Sequence, residues 1–174
     1  MKITHYDNVI KAIGSINSYE TDLIAEHISQ VQTRVLTCGN GGSAATAIHF
    51  ASDLRSVGIN AWDLLSPSKV TQIMNDVGPE NIFYQQVRID DVVIAFTGSG
   101  LSPNIIGLLS SPAYIYIVTG TMNIGKRPWD NYVYPRLSVL EVESDDYEVI
   151  EDVHLIICHA IKKRILERQQ FNGS

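Results

Sequence analysis

Apolar, β-branched runs recur along the chain, each closed by Gly, Ser or Pro and followed by a stretch with helical spacing. Strands are expected over 34–38, 59–65, 91–97, 114–119 and 137–142. The run Val92-Val93-Ile94-Ala95-Phe96 is continuous in apolar residues, the pattern of a central parallel strand covered on both faces. Helices are expected over roughly 43–55, 68–75, 80–87 and 103–109. A long one runs from 146 towards 169, and one or two more precede residue 34. This alternation predicts an α/β fold, a doubly wound, mainly parallel five-stranded sheet flanked by helices. No repeat or linker divides the chain, so 1–174 reads as a single domain. Residues 1–33 form an N-terminal helical segment, 34–172 the α/β core, and Gly173-Ser174 a disordered tail.

In such sheets ligands bind beyond the carboxyl ends of the strands. Two loops there have the chemistry of an anion cradle. Cys38-Gly39-Asn40-Gly41-Gly42-Ser43 opens directly into a helix, where glycines admit close approach of backbone N–H groups and Ser43 supplies a hydroxyl. Thr97-Gly98-Ser99-Gly100-Leu101-Ser102-Pro103-Asn104 does the same after the central strand. Either loop alone is equally well an ordinary strand-to-helix turn; the pair together favours a bound phosphate. Gly39-x-Gly41-x-x-Ala44, with Asp63 near the end of the next strand, also fits a dinucleotide fingerprint, which leaves the second hydroxyl-rich loop unexplained.

His49 and Asp53 stand four residues apart on the helix after the first loop, hence on one face. Glu151 and His159 are eight apart on the C-terminal helix, about 80° beyond two full turns, so both can reach one cleft, whereas His154 falls on the other side of Glu151. Two imidazoles and two carboxylates suit Zn²⁺ or a similar divalent ion. They equally suit metal-free acid–base chemistry. Solvated helix faces with partly buried histidines are the third reading, and spacing alone favours it.

The net charge of −6 argues against a nucleic-acid-binding surface. It leaves open a small anionic ligand held by N–H groups and hydroxyls. No apolar run approaches the ~20 residues that span a bilayer. The first seven residues, Met1 to Asp7, lack the apolar centre of a signal peptide, so a cytoplasmic location is expected. Cys38 and Cys158, far apart in the chain, are expected to be buried and reduced.

The segments Cys38-Gly-Asn-Gly-Gly-Ser-Ala-Ala45 and Ala47-Ile-His-Phe-Ala-Ser-Asp-Leu54 resemble the signature of the phosphoheptose isomerases, members of the sugar isomerase (SIS) domain superfamily. Asn75-Asp76, Thr97 to Asn104 and Glu148 to His159 fall in the family's order, so the resemblance covers most of the chain from Arg34 onward. It implies a flavodoxin- or Rossmann-like three-layer sandwich and aldose–ketose isomerisation of sedoheptulose 7-phosphate or a related sugar phosphate, with no nucleotide cofactor. It implies that Asn40, Gly41, Gly42 and Ser43 line the sugar-phosphate site and that Thr97, Gly98, Ser99 and Ser102 form the phosphate loop. Asn75, Asp76 and Glu151 would contact substrate. Asp53 would be the catalytic carboxylate, His159 the catalytic imidazole, and His49, Asp53, Glu151 and His159 the positions that bind zinc in metal-containing members. Homotetramers with interfacial active sites are the family's usual assembly. A non-catalytic SIS module that binds a phosphosugar or a protein partner is the alternative the resemblance leaves.

The chain departs from the family at several of these positions. Asp53 stands for glutamate, Glu151 for glutamine and Gly98 for a hydroxyl residue, and the segments after Leu54 and Asn104 are shorter.

Overall fold

Strands β1 (Val35–Gly39), β2 (Ala61–Asp63), β3 (Val92–Thr97), β4 (Tyr114–Gly120) and β5 (Leu137–Val142) form one sheet of order β2-β1-β3-β4-β5, with every neighbouring pair parallel. The computed structural model describes residues 3–131 and 133–172. The expected Gly173-Ser174 tail lies outside them. β1 and β3 are buried at every position, which explains their largely apolar character, broken only by Thr37 and Thr97: helices cover both faces. β5 alternates buried and partly exposed positions, as suits the edge of the sheet.

The helices are α1 (His5–Gly14), α2 (Ser18–Gln30), α3 (Gly42–Ser56), α4 (Pro67–Asp76), α5 (Pro103–Gly107) and α6 (Tyr147–Asn172). Successive strand residues point to opposite faces, so the sheet feeds two apolar layers. Val35, Ile94, Phe96 and Val118 pack against residues of α1, α2, α3 and α6, including Ile24, Phe50, Leu54 and Val153. Leu36, Val93, Ala95 and Ile117 pack against Ile73 of α4, Ile105 of α5, and Phe83. Phe50 meets Phe96 edge-on at 6.0 Å, adding about 0.5–1.5 kcal/mol to what burial alone supplies. That contact seats α3 on β3 and sets the height of the residues beside Phe50. Cys38 and Cys158 are both buried and free. Among the described residues no helix is long and apolar enough to cross a membrane.

Two elements differ from expectation. The strand expected over 59–65 shrinks to Ala61–Asp63, because the Asp63 carboxylate accepts from Leu65 N at 3.2 Å and turns the chain towards α4. The helix expected over 80–87 is instead two 3-10 turns, Pro79–Asn81 and Tyr84–Gln86. Side-chain amides compete there for backbone carbonyls: Asn81 Nδ2 donates to Val77 O at 2.7 Å, and Gln86 Nε2 to Ile82 O at 2.8 Å and Leu64 O at 3.1 Å.

Candidate functional site

The chain leaves β1 for β2 on one side and later enters β3 on the other, so the carboxyl ends of β1 and β3 flank the point where the sheet reverses direction, where such folds bind ligands. Both hydroxyl-rich loops emerge there. The first turns through Gly41, whose φ of +57° an L side chain rarely adopts, and brings Ser43 into the first turn of α3. In the second, Gly100 N donates to Thr97 Oγ1 and Leu101 N to Ser99 Oγ, each at 3.2 Å. Both hydroxyls thereby brace the loop and keep their own protons to donate. The two loops are tied by reciprocal amide bonds, Asn40 Nδ2 to Asn104 Oδ1 at 3.0 Å and Asn104 Nδ2 to Asn40 Oδ1 at 2.9 Å.

A pocket of about 90 Å³ lies between the loops, lined by Asn40, Ser43, Thr97, Gly98, Ser99, Ser102, Tyr147 and Glu151. Among the described residues no lysine or arginine lines it; its side-chain donors are hydroxyls and an amide, and Glu151 is its one charged side chain. The Glu151 carboxylate lies over Gly42, where a β-carbon on that glycine would collide with it. Asn75 and Asp76, in the last turn of α4, are exposed, pair with each other at 3.0 Å, and do not line this pocket.

Beneath the second loop sits Arg127, which the sequence pattern does not single out. It is almost fully buried, stacks at 5.6 Å on Trp129, and donates to Gly120 O at 3.3 Å, Asp130 at 2.8 Å and Glu141 at 2.5 Å. Burial works against its charge, but the hydrogen bonds it donates to both carboxylates outweigh this and hold its pKa above the ordinary value. The same guanidinium draws the Asp130 carboxyl below its ordinary range. The Arg127 aliphatic stem and the Trp129 ring abut Gly100, supporting the loop from behind.

Further along α3 and α6 the histidines converge. His49 Nε2 and His159 Nε2 are 3.2 Å apart, and Asp53 Oδ2 lies 3.4 Å from the first and 3.6 Å from the second. That oxygen is buried and accepts no hydrogen bond. The other, Oδ1, accepts from Lys162 Nζ at 2.7 Å. The two histidine side chains stay open to solvent, 51% and 48% exposed, while Asp53 is only 14% exposed. Three of the four expected metal positions thus meet; Glu151, two turns earlier on α6, belongs to the pocket instead. The rise between Glu151 and His159 is about 12 Å, so α6 carries one residue of the pocket and one of the cluster about two turns apart.

Two neighbours are chemically quiet. Cys158 has its thiol pushed well up by burial and by the nearby Asp53 charge. His154 is fully buried against Phe96, with neither ring nitrogen hydrogen-bonded, and burial lowers its pKa to about 3. Lys162 and Tyr147 are site residues that sequence reading passes over. The signal for Lys162 is its place three residues after His159, on the same helical face.

No family model matches the chain. Curated relatives do: a phosphoheptose isomerase of Helicobacter pylori is 31% identical over 173 aligned positions, covering 91% of this chain and 88% of the relative. One from Azoarcus is 32% identical over 145 positions, covering 74% and 71%. The solved phosphoheptose isomerase of Neisseria gonorrhoeae superposes with a TM-score of 0.83 at 28% identity, covering 94% of this chain and 95% of that one.

Proposed function

From the premise that this chain belongs to the phosphoheptose isomerase family, we propose how its residues divide the work of a sugar-phosphate isomerase acting on sedoheptulose 7-phosphate or a closely related ketose phosphate. The observation that carries this reading is the Asp53 carboxylate: one oxygen is buried without a hydrogen bond and faces two imidazoles, about two turns of α6 from a hydroxyl-lined pocket.

Ser43, Thr97, Ser99 and Ser102 hold the phosphate, together with N–H groups at the start of α3. Asn40, Gly41, Gly42, Gly98 and Glu151 shape the walls, and Asn75 and Asp76, exposed at the end of α4, are assigned to the sugar hydroxyls by the family resemblance alone. Anchoring the phosphate lays the carbonyl end along α6 towards Asp53 and His159. Asp53 Oδ2 removes the proton from the carbon beside the carbonyl, leaving an enediol. His159 moves a proton between the two oxygens, and the carboxyl returns its proton to the neighbouring carbon. A ketose thereby becomes an aldose with no net change in atoms or oxidation state.

Two imidazole nitrogens and a buried carboxylate oxygen without a hydrogen bond, all within 4.8 Å of one another, fit a divalent ion of borderline softness such as Zn²⁺. His49, Asp53 and His159 are the residues that would hold it. When bound, such an ion would polarise the substrate carbonyl. The half-exposed histidines leave the cluster open to solvent, which fits a homotetramer in which a second copy closes each site. We read the chain as one domain and place it in the cytoplasm.

The test is conversion of sedoheptulose 7-phosphate by chelator-treated protein, with and without added Zn²⁺, followed by NMR. The expected product is the corresponding aldoheptose 7-phosphate; no turnover in either condition despite measured sugar-phosphate binding would contradict the assignment.

A further inference from the structure

Asp53 already has a cation. Lys162 Nζ sits 2.7 Å from Oδ1, with the lysine side chain 27% exposed and the carboxylate 14% exposed, so water screens this pair less than it does a surface ion pair. The other charged or titratable groups around Asp53 are His49 on its own helix and His159 and Cys158 on α6. Among the described residues Lys162 is the lysine or arginine paired with this carboxylate.

We propose that Lys162 is the built-in countercation of Asp53 and competes with a divalent ion for that carboxylate. The proposal rests on reading His49, Asp53 and His159 as a cation site. Its argument is geometric and electrostatic. Oδ1 is taken by the ammonium, so a metal at the histidines could use Oδ2 alone. A metal bound there would also share the Asp53 carboxylate with the Lys162 ammonium, and two cations on one carboxylate repel each other. Charge is balanced at Asp53 without any metal, so the site is tuned to bind divalent ions weakly and reversibly.

The experiment is titration of the full chain with Co²⁺, read by its visible absorption, and with Zn²⁺ by competition against a chromophoric chelator. It compares the parent with Lys162→Met, Lys162→Gln, Lys162→Arg and His49→Ala, each checked for folding by thermal melting. Lys162→Met and Lys162→Gln, which lose the charge, are expected to bind both ions at least about tenfold more tightly. Lys162→Arg, which keeps the charge, stays near the parent. His49→Ala binds more weakly than the parent. Parent-like or weaker binding in the Met and Gln variants overturns the competition, and a weakened His49→Ala beside it leaves the metal site standing. No binding by any of the proteins, or binding that His49→Ala does not change, overturns both readings together.

Discussion

The ring of Tyr147 occupies the space in front of Gly98: a β-carbon on that glycine would lie 2.5 Å from both Cδ1 and Cε1 of the ring. Any side chain at position 98 would therefore have to displace a ring that comes from the first turn of α6. Glycine and tyrosine make one local solution for the wall of the hydroxyl-lined pocket. Gly98→Ser alone is expected to displace the ring and weaken sugar-phosphate binding about tenfold. Tyr147→Ala in the same chain should recover most of that loss by making room for the new hydroxyl. Isothermal titration of the two single variants and the double variant checks this; strictly additive effects would show that the contact does not couple them.

Glu151 places a negative charge in a pocket that, among the described residues, no lysine or arginine lines. Two unit charges 4 Å apart repel by about 1 kcal/mol even in bulk water. In chelator-treated protein, Glu151→Gln should therefore bind the phosphorylated sugar about fivefold or more tightly, with little change for the unphosphorylated sugar. Equal gains for both ligands, or a loss, would mean that Glu151 contacts the sugar rather than opposing the phosphate.

The stability of the fold carries a pH signature from His154. Its folded-state pKa is lowered from the ordinary 6.5 to about 3 by burial, so between these values the unfolded chain takes up a proton that the folded chain does not. The contribution is present above about pH 6.5 and is lost as the pH falls, at up to ~1.4 kcal/mol per unit. Urea unfolding at pH 6 and pH 4 should show the parent losing about 2 kcal/mol more than His154→Leu. Identical acid sensitivity in the two proteins would remove His154 as a source of it.

The sheet was legible because period and composition agree in it: Val92 to Phe96 is continuously apolar where both faces are covered, and glycine and serine mark the loops at its end. The neighbourhood of the two hydroxyl-rich loops and of His49 and Asp53 depends on local spacing, which the sequence displays. What escaped depends on contacts between distant segments. Two 3-10 turns replaced a helix because Gln86 reaches Leu64 O across the fold. Lys162 joined the site only because α3 and α6 pack with Asp53 facing it. Spacing puts Glu151 and His159 on one helix, yet only the approach of Gly42 puts the Glu151 carboxylate with the hydroxyl-rich loops rather than with the histidines.

The claim on which the rest depends is that Asp53 moves the proton. The most direct measurement is the isomerisation rate of Asp53→Asn on sedoheptulose 7-phosphate beside the parent, with binding of the sugar phosphate measured on the same samples. The account predicts a fall in turnover of about 100-fold or more, because the amide cannot act as a base, with affinity changed only a few-fold. Parent-like turnover in Asp53→Asn would contradict it and move the base to another residue.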